Sequence, residues 1–355
     1  VGGGGGGDFV LESAGMMARV FQGSAPGKII LFGEHAVVYG QPALAVPVNH
    51  VQARATIRAP SPVFPSPSRP SPQHSFTVLG RRGTRRRGGR ADSGIFIEAL
   101  GRRYALAEAA PDDVLAHALR LALGDDPALH TFTLSIASTI PLASGLGSGA
   151  AVCTAIVRAV AAYRGLSLTA AQVSQMVFET EQMLHGAPSG IDNTVIAYGQ
   201  PVWFIKGHAP EAFAVARPFD LLIADTGVPS PTKIVVGDVR AAWQRAPEQY
   251  EPLFVEIGGI ARAARALIAT PGAALAALGA AMDRNHALLC ALGVSSPALD
   301  TLTTVARQAG ALGAKLSGGG RGGNLIALVT ATTAEQVRAA LRATGAKRVL
   351  QTRVE

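Results

Sequence analysis

Cysteine is almost missing from this chain, with only Cys153 and Cys290 in 355 residues. Neither belongs to a CxxC pair or a Cys/His cluster. That argues against a zinc site or a disulfide framework and for two buried, reduced thiols in a cytoplasmic protein. Aromatic residues are also scarce, at 5 %, although hydrophobic residues reach 48 %. The core must therefore be built from Ala, Val, Leu and Ile, which suits layers of helix on sheet. No run reaches the roughly 18 consecutive apolar residues of a membrane span, so no membrane association is expected. Residues 1–15 contain six consecutive glycines and lack the basic start and apolar core of a secretion signal. Residues 1–17 are accordingly set aside as a disordered tail, with Met16 or Met17 as the natural beginning.

Acidic residues are absent from one long stretch. Between Arg58 and Arg90 lie eight arginines and no Asp or Glu, and removing them takes the net charge from +8 to 0. The basic balance is thus confined to one segment, rich in Pro, Ser and Gly, that reads as a solvated insertion over 59–92. A polyanion contact is the alternative for that segment, but a nucleic-acid partner is not expected for the chain as a whole.

Periodicity predicts strands at 28–32, 43–48 and 131–138, where Phe132, Leu134 and Ile136 alternate on one face. Helices are predicted over 94–103, 112–123, 148–163 and 169–184, the last with Thr169 as its N-cap. Residues 194–205 read as a strand broken by a turn at Gly199–Gln200. The second half opens with a strand at 221–224. Helices at 249–269, 272–292 and 297–310 follow, then strands at 313–317 and 324–330, a helix at 333–344 and a strand at 346–353. Antiparallel strands with helices on one face make an α+β layer. The domains are expected at 18–205 and 206–355.

Three glycine-bearing segments carry chemistry. The first, Pro141 to Ala151, joins a strand to a helix, and its backbone N–H groups and helix start form a plausible cradle for phosphates. It lacks the Gly-Lys-Ser/Thr ending of a Walker A loop. Gly145, Gly147 and Ala150 fit the dinucleotide pattern G-x-G-x-x-G/A, but no Asp or Glu occurs from Pro127 to Phe178 to bind a ribose. A purely structural tight turn also fits the spacing. In the second segment, Ser24 to Gly40, Lys28 follows Pro-Gly just inside a strand, with Glu34 and His35 one turn later. Alone, Lys28 would fit a surface charge. The third segment is Ala314 to Leu328, with glycines at 318, 319 and 320.

In this order and spacing the three segments resemble the three motifs of the GHMP kinases. His185 to Asn193, Asp225 to Lys233 and Asn285 to Val294 are most similar to mevalonate kinases within them. The resemblance covers about 24–350, apart from the arginine-rich segment. It implies a two-domain α+β fold, with an N-terminal mixed α/β domain, a C-terminal ferredoxin-like domain and a site in the cleft between them. It implies ATP-dependent phosphorylation of the C5 hydroxyl of mevalonate, with ATP and Mg2+ required and a homodimer as the assembly. Phosphomevalonate kinase and homoserine kinase are the alternatives among relatives.

Residue by residue, the resemblance implies Asp192 as general base and Lys28 beside it. By itself Asp192 fits a turn residue equally well. Glu181 and Ser148 would bind magnesium, although Glu181 read alone is a solvated helix residue. Pro141, Ser144, Gly145, Leu146, Gly147, Ser148, Gly149 and Ala150, with Gly318, Gly319 and Gly320, would line the nucleotide site. Glu34, His35, Thr232 and Lys233 would face the substrate. Two departures stand out. Gly149 replaces a second serine that can ligate magnesium. Arg321 and Asn324 replace smaller residues of the third motif, and Arg321 could meet either a phosphate or solvent.

Overall fold

The computed structural model describes residues 9–10, 18–60, 94–124, 130–141, 144–185, 188–230 and 232–355. Most of the expected 59–92 insertion and of the 1–17 tail lies outside them.

Two sheets organise the described residues. The first begins with β1 (Phe9–Val10), β2 (Ala18–Phe32) and β3 (Ala43–Pro60), with a 3-10 turn at Ala36–Tyr39 between the two long strands. β4 (Ile95–Ala99) and β5 (Arg102–Ala105) follow as a hairpin, then helix α1 (Val114–Leu123) and β6 (Phe132–Ser138). The strand order is β1-β2-β3-β6-β4-β5, antiparallel except for the β4–β6 pair. The helices α2 (Ser148–Arg164), α3 (Ala170–His185) and α4 (Ile191–Tyr198) come next. β7 (Val202–Phe204) then pairs with β3, and β8 (Glu211–Ala212) pairs with β7.

The second sheet has β9 (Phe219–Asp225) and β12 (Arg348–Val354) beside the hairpin β10 (Gly313–Ser317) and β11 (Asn324–Val329). Its order, β10-β11-β9-β12, is antiparallel throughout. With α5 (Thr232–Arg245), α6 (Pro247–Ala269), α7 (Leu275–Ala291) and α8 (Pro297–Gln308) between β9 and β10, and α9 (Ala334–Ala343) before β12, this is a ferredoxin-like layer. The chain leaves the first sheet after β8 and enters the second at β9.

Local chemistry explains most of these elements. Thr169 and Gln172 cap α3 reciprocally: Thr169 Oγ1 accepts from the Gln172 N–H at 3.2 Å, and Gln172 Oε1 accepts from the Thr169 N–H at 2.8 Å. Asp113 caps α1 by accepting from the Ala116 N–H. Five of the ten buried residues of α2 are alanines, which lets the helix lie close on β2 and β3. One core gathers the first sheet and its helices, and a smaller one lies under the second sheet.

Four expectations are corrected. Residues 94–103 form a hairpin rather than a helix: Ile95 and Ile97 alternate inward, and Leu100–Gly101, both at positive φ, turn the chain. Residues 191–198 are helical, although Thr194, Val195 and Ile196 favour a strand. Their helix buries Ile191, Val195 and Ile196, and Thr194 Oγ1 bonds back to the Gly190 carbonyl at 2.6 Å. Helix α5 has no counterpart among the expected elements, because its core-facing stripe is narrow: only Val235 and Val239 are buried. Finally, Cys153 is buried but Cys290, on the outer side of α7, is exposed.

Candidate active site

The two sheets meet along β2 and β10. Ser317 Oγ donates to the Ile30 carbonyl at 2.8 Å and accepts from the Ile30 N–H at 3.2 Å. Deeper in the seam the Lys315 ammonium, fully buried, pairs with the Glu34 carboxylate and also donates to the Leu316 carbonyl. Asn285 Nδ2 donates to the other Glu34 oxygen at 3.3 Å. Burial lowers the Lys315 pKa, while Glu34 acts in the opposite direction. An ammonium in such a place persists only when paired.

Lys28 lies near the end of β2, just after a register shift at Pro26/Gly27. Its N–H turns away from the ladder to the Leu146 carbonyl at 3.0 Å, which fixes the 144–147 turn to the strand. Its buried side chain runs past Gly147 to reach Asp192 Oδ1 at 2.8 Å. Gly147 precedes α2 at φ 72°. A β-carbon there would sit 2.8 Å from Ile196 Cδ1 and 2.9 Å from Lys28 Cγ, so both conformation and space require glycine. Asp192 stands in the first turn of α4, about one-third exposed, where the helix dipole favours a carboxylate.

Glu181, on α3, is 7 % exposed. Its pKa is raised to about 7, first by burial and then by the neighbouring Asp192, while Lys28 pulls it down. A β-carbon on Gly149 would lie 3.5 Å from Glu181 Oε1, so the carboxylate faces the start of α2. Among the described residues no side chain caps α2. The N–H groups of Ser148, Gly149 and Ala150 precede the first intrahelical bond, from Ala151 to the Gly147 carbonyl. Gly145 is exposed, Leu146 is buried beneath the turn, and Ser144 Oγ donates to the Pro141 carbonyl at 2.8 Å. Pro141, Ser144 to Ala150, Lys28, Asp192 and Glu181 therefore form one constellation.

The third motif closes on it from the second sheet. Asn324, 3 % exposed, donates through Nδ2 to the Ser144 carbonyl. His35 Nε2 lies 3.0 Å from the Gly319 carbonyl, so Nε2 carries the proton and Nδ1 is left as an acceptor. Burial lowers the His35 pKa to about 4, and its backbone sits at φ 58°. Thr232 abuts Gly319, where an added β-carbon would come 2.5 Å from its Oγ1. Gly318 has open space, whereas Gly320 at φ 81° is pressed against the Val294 carbonyl. Arg321 turns away from this region to Asp238 on α5, at 2.5 Å. Lys233 is exposed next to Thr232, and Glu34 is 1 % exposed within the seam.

Ser317, Asn285 and Lys315 were not singled out from sequence. A lysine between Ala314 and Leu316 in a fully buried strand was the available signal.

Residues 107–200 match the family described as GHMP kinases N terminal domain, and residues 264–347 match GHMP kinases C terminal. The mevalonate kinase of Thermococcus sibiricus is 35 % identical over 318 residues, covering 86 % of this chain and 88 % of the relative. That of Pyrococcus furiosus is 35 % identical over 329 residues, covering 91 % and 92 %. A solved structure of L. major mevalonate kinase in complex with R-mevalonate superposes with a TM-score of 0.74 at 27 % identity, covering 94 % of this chain and 95 % of that one.

Proposed function

The chain belongs to the GHMP kinases and, within them, to the mevalonate kinases; from that premise we propose that it transfers the γ-phosphoryl group of ATP to the C5 hydroxyl of mevalonate through the Lys28–Asp192 pair. The observation that carries the reading is that pair, 2.8 Å apart, beside a helix start that no side chain among the described residues caps.

Asp192 takes the hydroxyl proton as the oxygen attacks phosphorus, and the bond to the β-phosphate bridging oxygen breaks to release ADP. The Lys28 ammonium puts positive charge where the attacking oxygen becomes alkoxide-like. The N–H groups of Ser148, Gly149 and Ala150, at the positive end of α2, hold phosphate oxygens. Asn324 and the Lys28 N–H keep the 144–147 turn in the shape that presents them.

The donor set suits Mg2+. Glu181 offers carboxylate oxygens facing the α2 start, where Ser148 is the first helical residue, and its raised pKa reflects a buried carboxylate that a cation would relieve. When bound, Mg2+ neutralises charge on the β- and γ-phosphates. Gly149 contributes no hydroxyl, so Ser148 and water would have to complete the ligand set.

On the substrate side, His35 is neutral at pH 7 and offers Nδ1 as an acceptor for a hydroxyl. Lys233 supplies the cation for the mevalonate carboxylate, and Thr232 supplies a hydroxyl. Glu34 serves the site by holding the seam through Lys315 and Asn285. The reading extends to the cytoplasm, in keeping with two free thiols, and to a homodimer, which sedimentation of the intact chain would check.

The experiment is an ADP-release assay run with mevalonate, phosphomevalonate and homoserine in parallel. Turnover with mevalonate far above the other two is expected, and a preference for either of the others would sink the substrate assignment.

A further inference from the structure

Outside the Lys28–Asp192 site, one cluster of metal-ligating side chains stands apart among the described residues. His286 and Cys290 lie one turn apart on α7, and Asp300 comes from the first turn of α8. The three donor atoms converge on each other. Cys290 Sγ is 3.7 Å from His286 Nε2 and 3.6 Å from Asp300 Oδ1, and Nε2 is 3.4 Å from Oδ1. Around a tetrahedral Zn2+, with Zn–S about 2.3 Å and Zn–N and Zn–O about 2.0–2.1 Å, the S···N and S···O edges come to about 3.6 Å and the N···O edge to about 3.3 Å. The observed triangle has edges close to those of one face of such a tetrahedron.

We propose that His286, Cys290 and Asp300 form a site for a thiophilic divalent cation of the Zn2+ class, with the fourth position open to solvent. A thiolate with an imidazole and a single carboxylate selects such a cation over Mg2+. Access is available because the Cys290 and Asp300 side chains are exposed while His286 anchors the site from the interior. Ser295 Oγ lies 2.5 Å from the same Asp300 oxygen and orients that carboxylate.

The contacts present without a cation set its cost. The Leu316 N–H donates to His286 Nδ1 at 3.3 Å, which leaves the ring proton on Nε2. Binding releases the thiol proton to solvent, and the imidazole exchanges its Nε2 proton for one on Nδ1, opening the Leu316 bond. Loading is therefore opposed by that bond and is felt at β10, next to Lys315 and Ser317.

Hydrogen bonding alone could bring the three atoms this close, so the test must read a metal–thiolate bond. Co2+ is titrated into the full chain while thiolate-to-cobalt charge-transfer absorption is followed, a signal that oxygen ligands such as Glu181 do not give. Absorption should saturate at one Co2+ per chain, be displaced by Zn2+ and vanish in Cys290→Ser. The only other thiol, Cys153, is 1 % exposed and cannot substitute. Asp300→Asn should weaken Co2+ binding at least about tenfold. Absence of the absorption, or its survival in Cys290→Ser, overturns the site. So does an affinity unchanged by Asp300→Asn, which would mean a lone surface thiol.

Discussion

Two neighbouring carboxylates have been given different work by their surroundings. Asp192 is partly exposed at a helix N-terminus and paired with an ammonium, whereas Glu181 is buried and feels Asp192 as a like charge. Replacing Asp192 with Asn removes proton acceptance while keeping the shape. We expect kcat to fall by about 10²–10⁴ with the Kd for ATP, read by equilibrium dialysis, nearly unchanged. Glu181 makes a pH-dependent prediction with a definite sign. Its pKa is about 7 folded against 4.5 unfolded, so between those values the folded state holds a proton that the unfolded chain has lost. The stability of the metal-free protein therefore falls as pH rises through that window, by about 3 kcal/mol in total. Glu181→Gln should flatten this part of the stability–pH profile in urea melts. In the unaltered chain, Mg2+ affinity should weaken below pH 7 as the proton competes, and calorimetry in buffers of different ionisation enthalpy would count one proton released per cation. At this scale, sequence alone gave neither carboxylate a role. Asp192 read equally well as a turn residue and Glu181 as a solvated one; only the resemblance across 300 residues paired them with Lys28.

Elements were legible where one local signal dominated. Thr169-x-x-Gln172 announces the start of α3 because both partners lie within four residues. The alternation of Phe132, Leu134 and Ile136 announces β6. The failures came where tertiary packing overrode local preference. The β-branched run in α4 forms a helix because Gly190 turns the chain and α3 receives the apolar face. α5 shows little apolar periodicity because it is mostly solvent-facing. The turn before α2 is the element on which the site depends most, and Gly147 is its weak point. In Gly147→Ala the methyl group meets Lys28 Cγ and Ile196 Cδ1 at under 3 Å, in a conformation that alanine resists. A loss of about 1–3 kcal/mol of stability is expected. kcat should fall beyond what unfolding explains, because Lys28 is pushed from Asp192. The check is turnover measured well below the midpoint of thermal unfolding. Retention of full kcat in a folded Gly147→Ala protein would mean that the Lys28 position matters little.

At the scale of the whole molecule, the site exists only because two sheets are held in one register. Among the contacts that do this are Ser317 with Ile30, Asn324 with the Ser144 carbonyl, and Lys315 with Glu34. None was readable from periodicity, since each joins residues at least 180 positions apart. The ion pair is the informative one, because Glu34 was expected to face substrate. Lys315→Met removes the ammonium and leaves a carboxylate buried without its charge partner, which should cost about 3–5 kcal/mol. Adding Glu34→Gln removes the stranded charge while keeping an acceptor for Asn285. The double variant should therefore regain most of the lost stability, giving a strongly negative coupling in a thermal-melt cycle. Activity then separates two roles that stability cannot. If Glu34 only fixes the seam, turnover returns together with stability in the double variant, which is the outcome we expect for a carboxylate 1 % exposed and paired on both oxygens. A double variant that melts like the parent but stays inactive, with a raised KM for mevalonate alone, would instead put Glu34 in contact with the substrate.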